Sequence, residues 1–126
     1  AGGVAAAWAT LTHLGRSGYM EVARDLMGFI DRYKAGIRAI DDLVLVGEPH
    51  VSLVAYTSPS LDIFRVAECM AAKGWVPGLV QRPRAIHRMM SLLHAPALDD
   101  YLADLRTAVA AVRKEASQRS TISATY

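Results

Sequence analysis

The sequence predicts an α+β fold: a two-layer small domain, mainly antiparallel sheet with helices on one face, in the order α-α-β-β-α-β-β-α. Two observations lead there. Apolar residues recur at steps of three and four over long segments, the period of a helix with one buried face. Short β-branched runs come in pairs joined by turn residues, the pattern of antiparallel strands; such pairs with helices packed against them make a two-layer α+β domain. The chain has 126 residues, 52% hydrophobic and 21% charged. That suffices for one domain with its own core and is too apolar for a disordered chain.

The segment from Val4 to Leu14 is rich in alanine, a strong helix former, and carries no formal charge. It is apolar nearly all round, so a helix there needs cover on several sides. Gly15 ends it and Ser17 is placed to cap a second helix. In that helix, Val22, Leu26, Phe29, Ile30, Tyr33, Ile37 and Ile40 fall on one face, with the charged residues mainly opposite. Strands follow over 43–46 and 51–56, separated by Gly47-Glu48-Pro49-His50. Ser58-Pro59-Ser60 opens a third helix, with Asp62 in its first turn, Ile63, Ala67 and Met70 inward, and Lys73-Gly74 as its stop. Two more strands, over 75–80 and 86–93, flank the polar loop Gln81-Arg82-Pro83-Arg84, and Pro77 marks the first as an edge strand. Pro96 opens the last helix, whose core stripe is Leu98, Leu102, Leu105, Val109 and Val112. The pattern stops at Ser117, which predicts a flexible tail over 117–126.

Several function classes are disfavoured. Fourteen basic and 12 acidic residues are interspersed, for a net charge of +2, which predicts no nucleic-acid partner. Cys69 is the one cysteine, so neither an intramolecular disulfide nor a cysteine-cluster zinc site can form. It reads as a small buried hydrophobe. The histidines His13, His50, His87 and His94 include no pair spaced four apart and no HExxH motif, so no metal site is expected. There is no GxSxG element. Arg82, Arg84 and Arg88 form the one local basic cluster, read as solvated loop and edge-strand arginines, with a phosphate or carboxylate contact as the alternative. Lys34, Lys73 and Lys114 lack the apolar setting that would lower a lysine pKa for Schiff-base chemistry. Gly2 and Gly3, before a helix, offer free backbone N–H groups that suit a phosphate, a weak signal in two glycines alone.

Several stretches carry a resemblance: the opening AGGVAAAWATLTHLGRSGYMEV, the middle LVGEPHVSLVAYTS with SLDIFRVAECMAAKGW, and AIHRMMSLLH. In order, and through most of the chain, they resemble the C-terminal part of the sphingosine-1-phosphate lyases. The AKGW turn and the IH-four-residues-LLH segment are the most specific pieces. The resemblance implies a fold-type I, pyridoxal-phosphate-dependent parent acting as a homodimer. That parent splits a phosphorylated sphingoid base between C2 and C3, giving a long-chain aldehyde and phosphoethanolamine. In the family the Schiff-base lysine follows a histidine in a large domain. Here Lys34 follows Tyr33, Lys73 follows Ala72 and Lys114 follows Arg113. The cofactor is therefore expected in the parent and not in this chain, and the fragment is expected to be inactive alone.

The same resemblance divides the chain into a linking helix from an absent large domain (1–16), a small domain (17–116) and the tail. It leaves Gly2 and Gly3 adjacent to the family's cofactor-phosphate loop and aligns Tyr126 with a tail tyrosine that reaches the family's active site, an accessory catalytic role. The uncovered first helix predicts self-association through residues 4–40. Two alternatives stand beside this reading: the C-terminal domain of a related pyridoxal-phosphate amino-acid decarboxylase, and a non-enzymatic α+β interaction module.

Overall fold

The computed structural model describes the backbone of residues 1–123 and the side chains of residues 1–118. Helix α1 (Gly2–Arg38) is followed by β1 (Val44–Leu45), β2 (Leu53–Thr57), α2 (Ile63–Ala72), β3 (Gly78–Gln81), β4 (Arg84–Met89), a 3-10 segment (Leu92–Ala97) and α3 (Leu98–Ser123). The fold class and element order are those expected.

Helix α1 is two helices joined across a kink at Gly15, whose φ of 58° and ψ of −173° lie in a region that only glycine occupies at low cost. The two halves differ in what they touch. From Phe29 onward α1 buries Phe29, Ile30, Tyr33 and Ile37. Before Gly15 its side chains are exposed except for the half-buried Leu14, with Val4, Trp8 and Leu11 at 77%, 69% and 58%. The all-round apolar segment is thus a helix with no cover from this chain.

The four strands form one antiparallel sheet in the order β1-β2-β4-β3. Alternation assigns its faces. Val54, Tyr56 and Ile86 point into the helical layer and are fully buried, while Val44, Leu53 and Met89 are exposed on the other side. Helix α2 starts at Asp62, whose carboxylate accepts the Phe64 backbone N–H at 3.0 Å, an N-cap that satisfies one of the orphan donors of the first turn. It stops at Lys73, and Gly74 takes the left-handed φ of 91° that terminates a helix. Burial of Val66, Met70, Leu105 and Val109 between α2, α3 and the sheet is worth about 1.5–3 kcal/mol per large side chain.

The structure shifts some boundaries. The strand expected from Trp75 starts only at Gly78, because Pro77 has no N–H for the ladder. The polar loop contracts to a turn at Arg82-Pro83, a cis peptide, so β4 already begins at Arg84. That strand ends at Met89, and Leu92–Ala97 is a 3-10 segment instead of a strand end. Its cap explains why. The backbone N–H of Ser91 donates to His94 Nδ1 at 2.9 Å, and the Ser91 side chain closes the reciprocal bond of a capping box. Pro96 therefore lies inside the 3-10 segment, and α3 begins at Leu98. No glycine or proline interrupts the stretch after Ser117, and α3 continues through Ser123, into the stretch read as a tail.

Candidate functional site

The arginine cluster read from the sequence does not stay together. Arg84 and Arg88 sit at even positions of β4 with Ile86 between them, so period two turns all three toward the helices. Each arginine lies over an aromatic ring. Arg84 is 4.2 Å from the Phe64 centroid and bonds Asp62 at 2.9 Å. Arg88 is 5.2 Å from the Tyr101 centroid and donates to the Val76 carbonyl at 3.2 Å. Arg82, in the turn, is exposed. Reading the three as solvated arginines holds for Arg82 and Arg84, which are exposed, and fails for the half-buried Arg88, for which the alternation around Ile86 was the signal.

Arg88 borders a cleft between α1, β4 and α3. Phe29 and Tyr33 of α1 form one wall, Trp75 and Tyr101 another, with Met90 and Leu98 below and His94 at the rim. The aromatic packing is specific. Trp75 meets Tyr101 edge to face at 5.1 Å, and Tyr33 lies tilted against Tyr101 at 5.8 Å, within the favoured range for aromatic pairs. Tyr56 and Tyr101 share a buried hydroxyl–hydroxyl bond of 2.6 Å. Tyr33 packs beside this pair, yet its buried hydroxyl makes no hydrogen bond. Burial, then the neighbouring Tyr101 phenol, pushes the pKa values of Tyr33 and Tyr56 well above the usual tyrosine value, and Arg88 pulls both the other way. Trp75 is held by its Nε1–H bond to Asp104 at 2.8 Å, and Lys73 bonds the same carboxylate at 2.6 Å.

The remaining candidates lie apart. Gly2 and Gly3 begin α1 in open space. Lys34 pairs with Asp31 at 2.9 Å, Lys73 is held by Asp104, and Lys114 is exposed on α3. No lysine borders the cleft. Cys69 is half-buried against the core, and Tyr126 lies outside the described residues. Among the described residues no group of histidine, cysteine or carboxylate side chains could hold a metal ion, and no helix is long and apolar enough to cross a membrane.

Fold and cleft define a small two-layer α+β domain with an uncovered leading helix. The chain is similar to sphingosine-1-phosphate lyase of Arabidopsis thaliana, with 42% identity over 87% of this chain and 20% of that protein. It is similar to sphingosine-1-phosphate lyase 1 of Rattus norvegicus, with 32% identity over 94% of this chain and 21% of the other. The solved structure of a Burkholderia pseudomallei sphingosine-1-phosphate lyase matches 96% of this chain and 28% of that one, with a TM-score of 0.82 and 29% identity. No family model matches. The chain is homologous to a segment of the sphingosine-1-phosphate lyases and spans about a fifth of the length of these curated relatives.

Proposed function

We propose that this chain is the C-terminal small domain of a pyridoxal-phosphate-dependent lyase that cleaves phosphorylated sphingoid bases into a long-chain aldehyde and phosphoethanolamine. The observation that carries the reading is the 42% identity to a sphingosine-1-phosphate lyase over 87% of the chain. In the parent the cofactor supplies the electron sink for carbon–carbon cleavage. The attachment lysine and phosphate cradle are assigned to the rest of the parent, because each lysine here is either ion-paired or on an open helix face. The part played by this chain is to complete the subunit and the dimer. The exposed apolar half of α1 would be covered in the parent homodimer, and in the isolated chain the same surface supports self-association through residues 4–40. Tyr126 is assigned an accessory role at the parent's active site, where a phenol can donate a hydrogen bond or relay a proton.

The test is product analysis. The full-length parent, supplied with pyridoxal phosphate and a phosphorylated sphingoid base, should release long-chain aldehyde and phosphoethanolamine; the 126-residue chain should release neither. Carbon dioxide from an amino acid, without aldehyde from the sphingoid base, would identify a decarboxylase instead. Tyr126→Phe in the parent should lower the turnover rate more than it lowers the melting temperature.

A further inference from the structure

We propose that the partner of the exposed leading helix is the open face of the sheet in a second copy: residues 4–14 of each chain lie on the outer sheet face of the other, a pairing that rests on the self-association through residues 4–40. The helix offers Val4, Trp8 and Leu11 and carries no formal charge from Val4 to Leu14. The sheet matches it. Leu53 and Ala55 of β2 pair with Met89 and His87 of β4, and Val44, Gly78, Val80 and Ala85 lie on the same side. No outward strand position carries Asp, Glu, Lys or Arg. The face is low in the middle. Ala55 and Ala85 are short, and a Cβ on Gly78 would come within 2.7 Å of His87 Nε2, so the imidazole lies over the β3 backbone there. Val44, Leu53 and Met89 stand around that centre, 44%, 52% and 75% exposed.

Three constraints choose the occupant. Beyond Gly15, α1 packs on the inner side of the sheet, and the kink leaves residues 2–14 as an exposed arm about 20 Å long. The arm does not cover the outer face of its own sheet, so a second chain is needed to bring the two together. Both surfaces are uncharged, which suits one apolar surface on another and not a partner recognised by ion pairs. Area sets the geometry. Val4, Trp8 and Leu11 expose roughly 400 Å², and Val44, Leu53 and Met89 roughly 300 Å². One such contact buries about 700 Å², the size of a lattice contact, whereas two related by a twofold bury about 1,400 Å², the size of a stable interface. Each chain holds both halves, so the reciprocal pair closes on itself as a dimer.

The test is sedimentation equilibrium of the whole chain at micromolar concentration, with circular dichroism to check that each variant is folded. The intact chain should be a dimer. Trp8→Lys on the helix and Met89→Glu on the sheet each put a charge into an apolar contact and should raise the dissociation constant at least about tenfold. Mixed in equal amounts, the two variants should recover the dimer, because the heterodimer keeps one contact intact and sets opposite charges in the other. Leu53→Lys, on the same face, decides if Met89→Glu fails to fold. Unchanged dimerisation of the sheet variants beside a monomeric Trp8→Lys would show that helix meets helix: self-association would stand and the sheet pairing would fall. A monomeric intact chain would overturn both. Species that grow past the dimer with concentration would overturn the reciprocal closure.

Discussion

Gly36 of α1 and Leu102 of α3 approach so closely that a methyl group on the glycine would lie inside the leucine side chain. The crossing of the two helices depends on that missing side chain. It brings Tyr33, one turn before Gly36, against Tyr101, the residue before Leu102, so the wall of the cleft and the helix crossing share one cause.

Gly36→Ala should therefore destabilise the domain although alanine is the better helix former. Overpacking costs about 1–3 kcal/mol, against a propensity gain of roughly 1 kcal/mol. Leu102→Ala alone should cost about 2–5 kcal/mol through the cavity it leaves. The double variant should lose less than the sum, because that cavity admits the new methyl. Urea denaturation of the four proteins measures the coupling, and strict additivity would show that the two side chains do not compete for space.

The tyrosines should respond differently to losing their hydroxyls. Tyr56→Phe strands the Tyr101 hydroxyl in the core, at about 1–3 kcal/mol. Tyr33→Phe removes a hydroxyl that has no partner and should be neutral or mildly stabilising. Equal losses in the two variants would contradict this.

Alkaline stability follows from the same pair. Both pKa values are raised in the folded state, so the unfolded chain releases these protons first. Stability should be intact below about pH 10, the ordinary tyrosine value, and fall as pH climbs from there toward the raised values. Tyr56→Phe should flatten that decline in pH-dependent thermal melts.

At the acid end, Asp42 and Asp104 decide the sign. Hydrogen bonds from Ser60 and then Arg113 hold the Asp42 carboxyl below its usual value, and bonds from Lys73 and then Trp75 do the same for Asp104. A depressed folded-state pKa contributes stability above the unfolded value, about 3.9 for aspartate, that is lost as pH falls through the folded one. The urea midpoint should therefore drop below about pH 4. Asp42→Asn and Asp104→Asn should each reduce that drop. Both sites are on the surface, so added salt should shrink the effect.

The exposed half of α1 makes association concentration-dependent. Sedimentation equilibrium should find dimers or larger species at micromolar concentration, and deletion of residues 1–14 should return the monomer. Trp8 emission should shift to the blue as the species form. A monomeric intact chain with red-shifted Trp8 emission would rule out association through this helix.

The sequence by itself determined the local features. The Lys73-Gly74 stop, the break at Gly15 and the inward stripes of α2 and α3 were legible because each depends on a few neighbouring residues, whereas Asp62, read as a first-turn residue, is the N-cap of a helix that starts only at Ile63. The need of 4–14 for cover was legible too, as a charge-free helix apolar on every face. Tertiary structure alone decided the cleft. Tyr33, Tyr56 and Tyr101 come from three separate elements, and nothing local to any of them says that two share a proton while the third has no partner. Arg88 likewise read as solvated until strand register placed it opposite Val54. The 3-10 segment escaped because the reciprocal partner of its Ser91 cap is a histidine, at a position where glutamate or glutamine marks a capping box. Register and helix rotation are set by the packing of the whole core, so contacts that depend on them cannot be summed from neighbouring residues.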